Sequence, residues 1–137
     1  MSRRIIVSTK NAPGAIGPYN QAIIAGGFVH CSGQIPLDPV TMEIVEGGVQ
    51  KQTTQVMKNL AAVLDAAGVG FASAVRCTIF VKNMDDFAAV NEIYAKSFEG
   101  MEAPARACVE VARLPKDVAV EIDCLALAPE SGSGGSR

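Results

Sequence analysis

The longest regular pattern of apolar positions lies between residues 49 and 67. Val49, Thr53, Val56, Leu60, Val63, Leu64 and Ala67 recur at three- and four-residue steps, while Gln50, Lys51, Gln52, Lys58 and Asp65 fall off that line. A single apolar stripe of this period predicts an amphipathic helix over 49–67, with Gly68 just past its C-cap. Between residues 74 and 82 the period changes to two. Val75, Cys77, Ile79 and Val81 alternate with Arg76, Thr78, Phe80 and Lys82, which predicts a strand. The helical step returns at Phe87, Val90, Tyr94 and Phe98, predicting a second helix capped by Asp85 or Asp86 and ended by Gly100.

Shorter runs at residues 4–8, 21–25 and 28–32 predict three more strands, the last two joined by a tight turn at Gly26-Gly27. Pro36 and Pro39 make 35–39 a loop, and residues 42–45 suggest one further short strand. Residues 106–111 and 118–127 flank Arg113-Leu114-Pro115-Lys116-Asp117, a turn by composition, and predict a final hairpin. Strands, helix, strand, helix and two strands imply one α+β domain over residues 1–128, a mixed sheet with both helices on one face. Residues 129–137, rich in Gly and Ser, form a flexible tail. On the last strand Val118, Val120, Ile122, Cys124 and Ala126 share an apolar face. The other face mixes Glu121 and Asp123 with Ala119, Leu125 and Leu127. Such a face suits a subunit interface with a site built into it.

Composition narrows the function. The chain has 137 residues, with 12 Lys+Arg against 14 Asp+Glu and a net charge of −2. With a pI of about 5.3, a general phosphate-backbone binder is disfavoured. At 49% hydrophobic and 19% charged residues the chain is folded rather than disordered, and the apolar excess hints at an oligomer. No apolar run approaches the roughly 18 residues of a membrane span. Residues 1–7 start like a signal sequence but Ser8-Thr9-Lys10 ends the apolar stretch. The first acidic residue is Asp38, so a mitochondrial leader stays open beside a cytoplasmic location. Cys31, Cys77, Cys108 and Cys124 form no Cys-x-x-Cys pair, and His30 is the single histidine. A zinc site lacks ligands, and buried thiols in a reducing compartment are the better reading.

The chemistry left is sparse. There is no phosphate-cradling Gly-rich motif, and His30 sits in strand alternation as a structural residue. Arg106 opens a strand among small residues, a setting suited to gripping a carboxylate with two parallel hydrogen bonds. An ion pair with Glu110 or Glu121 would explain it equally well. Glu121, on the partner strand of the same expected hairpin, has the least polar surroundings of any carboxylate here, suiting acid–base work. Tyr19, Ser32, Gly33 and Asn91 offer further polar groups, each with an ordinary packing or hydrogen-bonding explanation. This inventory describes an anion-accepting pocket without a powerful nucleophile, for easy reactions on small carboxylates or for binding alone.

Four segments carry a resemblance: Asn11-Ala12-Pro13-Gly14-Ala15-Ile16-Gly17-Pro18-Tyr19, Ser32-Gly33-Gln34-Ile35, Asn91-Glu92-Ile93-Tyr94, and Pro104-Ala105-Arg106-Ala107-Cys108-Val109-Glu110-Val111-Ala112-Arg113-Leu114-Pro115-Lys116. With them the chain resembles the RidA (YjgF) family of imine deaminases over residues 5–127. The resemblance implies a chorismate-mutase-like α+β fold and a homotrimer with three sites between subunits. It also implies hydrolysis of reactive 2-imino acids, such as 2-iminobutanoate and 2-iminopropanoate, to 2-oxo acids and ammonia. That activity protects pyridoxal-phosphate enzymes and uses neither cofactor nor metal. By the same resemblance Arg106 holds the substrate carboxylate and Glu121 orients or activates water. Tyr19, Ser32, Gly33, Asn91 and the backbone at Cys108 complete the pocket. One departure stands out: Ala103 precedes Pro-Ala-Arg where the family pattern usually has Phe or Tyr, which bears on substrate size. Two other readings remain, a non-catalytic carboxylate binder or holdase and a ribonuclease or translation inhibitor.

Overall fold

The computed structural model describes residues 3–130. The expected tail at 129–137 falls outside it apart from residues 129 and 130. Eight elements follow the order β1 (Ile5–Val7), β2 (Ala22–Ala25), β3 (Phe28–Gln34), α1 (Val49–Ala66), β4 (Ala74–Val81), α2 (Phe87–Lys96), β5 (Ala105–Glu110) and β6 (Val120–Leu127). The strands form one six-stranded sheet in the order β1-β2-β3-β6-β4-β5. Only β4 and β5 are parallel, joined by the crossover through α2, so the sheet is mixed and the class is α+β as expected.

Both helices cover one face. The stripe predicted for α1 buries Thr53, Val56, Leu60, Val63 and Leu64 against the core side of the sheet. Gly68 accepts φ +88°, and its N–H donates to Asp65 O while Val69 N–H donates to Leu64 O, a Schellman ending. From the sheet come Val29 and Cys31, then Cys77, Ile79 and Val81, then Val120, Ile122, Cys124 and Ala126. Three thiols lie in one rank here, because Cys31 pairs with Cys124 and Cys124 pairs with Cys77 across adjacent strands. Asn59, which the apolar stripe does not mark, is buried in α1. Its Nδ2 donates to Ile35 O and Leu37 O, pinning the 35–37 loop.

Several expectations need correction. β5 and β6 do not form a hairpin, because β4 lies between them. The burial patterns explain why. β6 buries every second residue from Val120 to Ala126 and belongs at the centre, whereas β5 is exposed at both ends and sits at the edge. Val75 leaves the buried face of β4, because the pairing with β6 shifts register between Ala74 and Arg76. Residues 42–45 make only the single bridge Leu37↔Ile44. Asp38 Oδ1 there accepts from Val40 N and Thr41 N and holds a turn. Asn83, not Asp85 or Asp86, supplies the side-chain cap before α2, accepting from Asp85 N–H.

Candidate functional site

The sheet register fixes where each candidate points. Arg106 pairs with Cys77, a core-facing residue of β4, so its side chain rises on the helix side at the open edge of the sheet. There it meets α2. Arg106 Nη1 donates to Asn91 Oδ1 at 2.6 Å, and its Cζ lies 5.3 Å from the ring centroids of both Phe87 and Tyr94. Cys108, two residues along β5, is half-buried on the same side. Burial pushes its thiol pKa up, and the Arg106 charge opposes that rise.

The ion pair that competed with this reading does not form. Glu110 Oε1 accepts from Met84 N at 2.8 Å, and Glu121 lies on the other side of the sheet. Arg113 and Asp117 make the salt bridge found among the described residues, at 2.7 Å on the surface. Among the described residues the guanidinium of Arg106 therefore carries its charge without a carboxylate.

Glu121 is the centre of a second group. It pairs with Phe80 on β4, and its neighbours Val120 and Ile122 face the core, so its own side chain projects from the face away from the helices. The carboxylate lies over Gly33, where a Cβ would overlap Glu121 Oε2. β3 is irregular at that point, with its pairing to β6 shifting between Cys31 and Gln34. Burial raises the Glu121 pKa, and the charge of Asp123 on the same face raises it further.

Beside this carboxylate Ser32 secures the approaching loop. Its Oγ donates to Asn20 O at 2.6 Å and its N–H donates to Gln21 O at 2.9 Å. Tyr19 is exposed, its hydroxyl accepting from Ile16 N–H at 3.4 Å. Gln21, unmarked by the sequence reading, is the buried anchor of the loop. Its Oε1 accepts from Thr9 N, and its Nε2 donates to Thr9 O, Ala12 O and Pro13 O. A cavity of about 40 Å³ opens beside Tyr19, Gly33 and Ile16.

Arg106, Asn91 and Cys108 thus assemble on one face, while Glu121 lies against Gly33 on the other, with Ser32 next to Gly33 in the chain and Tyr19 lining a small cavity with it. One chain brings neither group to the other. The hairpin expectation had put Arg106 and Glu121 on adjoining strands, and the intervening β4 separates them. The first group can grip an anion. The second can hold a proton or a water at a desolvated carboxylate. Among the described residues no cluster of three or more His, Cys, Asp or Glu is placed to hold a metal ion.

Comparison with known proteins identifies the family. Residues 9–128 match the family described as endoribonuclease L-PSP. The RutC family protein slr0709 of Synechocystis is 58% identical over 90% of this chain and 96% of its own. The 2-iminobutanoate/2-iminopropanoate deaminase of Salmonella typhimurium is 48% identical over 88% of this chain and 95% of its own. The structure of YyfA, a Rid-family protein from Yersinia pestis, superposes with a TM-score of 0.90 at 48% identity, covering 92% of this chain and all of that one. The chain belongs to the endoribonuclease L-PSP family, the RidA (YjgF) family that its motifs resemble.

Proposed function

We propose that this protein is a hydrolase acting on C=N bonds. It converts small 2-imino acids and their enamine tautomers, 2-iminobutanoate and 2-iminopropanoate among them, to 2-oxo acids and ammonia. The observation that carries the reading is the unpaired guanidinium of Arg106 at a sheet edge, held by Asn91 and two rings. The name of the Salmonella relative supports the same reaction.

The chemistry is modest and suits these groups. An imine carbon is already electrophilic, so water can add to it without a covalent nucleophile. Arg106 fixes the carboxylate through its remaining donors. Glu121 takes a proton from the attacking water and returns one to nitrogen. The resulting carbinolamine then releases ammonia and leaves the 2-oxo acid. One positioned acid–base group contributes about 10²- to 10⁴-fold, and orientation of carboxylate against water adds to it. Removing such intermediates protects the pyridoxal-phosphate enzymes that generate and encounter them.

A working site takes Arg106, Asn91 and the Cys108 backbone from one copy and Tyr19, Ser32, Gly33 and Glu121 from the next. Each chain presents both halves on different faces, a head-to-tail arrangement that closes as a ring, here a homotrimer. We place the activity in the cytoplasm. Four free thiols, three of them buried, accord with a reducing compartment. The acidic pI of about 5.3 argues against RNA as the substrate.

The test generates 2-iminobutanoate in place with threonine dehydratase and follows formation of 2-oxobutanoate. Acceleration by the wild-type protein and none by Arg106→Ala is the expected result. An unchanged rate with wild-type protein would refute the function. Mixing Arg106→Ala and Glu121→Gln chains before reassembly should restore about a quarter of the sites, because some junctions then receive both intact halves. No recovery on mixing would place both groups within one chain's site.

A further inference from the structure

The hydrogen bond and both ring contacts of the Arg106 guanidinium come from one helix. Phe87 and Tyr94 stand seven residues apart, two turns along the same face of α2, and the Arg106 Cζ is 5.3 Å from each ring centroid. Asn91, one turn before Tyr94, takes Nη1 at 2.6 Å. The Tyr94 ring is itself braced, its centroid 4.9 Å from that of Phe98, which packs edge-on against Phe71 at 5.2 Å. The Tyr94 hydroxyl is buried beside the core, where it faces the Cys77 thiol without a well-formed hydrogen bond. What this tyrosine contributes is therefore its ring.

Ring faces attract a guanidinium through their quadrupole and consume none of its N–H donors. Donors not given to Asn91 thus stay open to an incoming anion. A long side chain held on such a bed also loses less freedom when that anion arrives.

We propose that Phe87 and Tyr94 are positioning residues, a pair of ring faces that, with Asn91, hold the Arg106 guanidinium ready for the substrate carboxylate. This rests on the carboxylate-gripping role given to Arg106 above. The rings act before chemistry, so their loss weakens binding and raises KM while kcat, set by the Glu121 half, changes little.

The test uses Phe87→Leu, Tyr94→Leu, their double variant and Tyr94→Phe in the full chain. Binding of the product 2-oxobutanoate is measured by calorimetry, and kcat and KM are measured on enzymatically generated 2-iminobutanoate. The double variant should bind 2-oxobutanoate about 5- to 30-fold more weakly, with a matching rise in KM and kcat within about twofold. Tyr94→Phe, which keeps the ring, should recover most of what Tyr94→Leu loses. Arg106 side-chain resonances in ¹⁵N-labelled protein should show a ring-current shift that persists in Tyr94→Phe and disappears in the double variant. Phe87 is only half-buried, so Phe87→Leu keeps the test alive if Tyr94→Leu fails to fold. Unchanged 2-oxobutanoate binding in the double variant would overturn the proposal, as would equal losses in Tyr94→Phe and Tyr94→Leu. If the wild-type protein binds no 2-oxobutanoate, the reading of Arg106 as a carboxylate grip fails. The resonance shift then decides the cradle by itself.

Discussion

The two faces of the sheet hold their polar groups in opposite ways. On the helix side, Arg106 lies at an exposed edge and its charge is met by rings and an amide. On the far side, Glu121 lies at the sheet's centre, pressed against Gly33, with Asp123 for company and no cation paired to it. A cation is kept charged without being neutralised, and a carboxylate is kept uncomfortable as an anion. Both conditions leave reactive capacity unspent within the chain. The difference lies in cost. A guanidinium over rings gains a little stability, whereas a desolvated carboxylate loses some whenever it ionises.

The largest break in this comparison is Arg106→Ala. It should lower kcat/KM by about 10²- to 10⁴-fold, the loss of two charge-assisted hydrogen bonds to the carboxylate. Steady-state kinetics on 2-iminobutanoate check it, and a loss below tenfold would assign the grip elsewhere.

Glu121→Gln comes next, with activity falling about 10²-fold or more. Its effect on stability should have the opposite sign. The folded chain holds the Glu121 proton to higher pH than the unfolded chain does, so stability falls as pH rises from the ordinary glutamate range through the raised value. Glu121→Gln should therefore be the more stable protein at pH 7, with the advantage fading toward pH 4. Denaturant melts at the two pH values measure this. A variant less stable at pH 7 would show that the carboxylate has a stabilising partner.

Gly33→Ala is a gentler probe of the same face. The added methyl must displace the Glu121 carboxylate, which should cost about 1–2 kcal/mol of stability and at least about tenfold in kcat. Unaltered kinetics would mean that the position of this carboxylate is immaterial. The smallest effect expected is that of Tyr94→Phe on folding. Removing a buried hydroxyl that faces only the weakly bonding Cys77 thiol should move the stability by less than about 1 kcal/mol.

Much of this was legible before any coordinates. The change of period from 3.6 to 2 and back marks α1, β4 and α2, because each buries a single stripe against one core. The candidates Arg106, Asn91, Tyr19, Ser32 and Gly33 were marked by the family motifs around them, and Glu121 by its apolar strand surroundings. Strand pairing was not. The 113–117 turn looks like a hairpin loop, and only the burial of alternate residues on both β4 and β6 explains why those two became neighbours. That error put Glu121 on a strand adjoining that of Arg106, although β4 lies between the two. The rings of Phe87 and Tyr94 escaped notice for a related reason. At helical spacing they look like ordinary core, and only the β4–β5 register shows a guanidinium arriving beneath them. Gln21 and Asn59 were equally silent, since a polar side chain tying down a loop leaves no periodic trace.

The rank of sulfur atoms across β3, β6 and β4 gives the molecule a reporter of its own. Cys31, Cys124 and Cys77 are buried beneath the helices, while Cys108 is partly open at the rim. A maleimide added to the native protein should alkylate Cys108 first and leave the inner rank untouched until the helices lift from the sheet. Counting modified thiols by mass spectrometry at rising urea would then separate breathing at the edge from collapse of the whole interior.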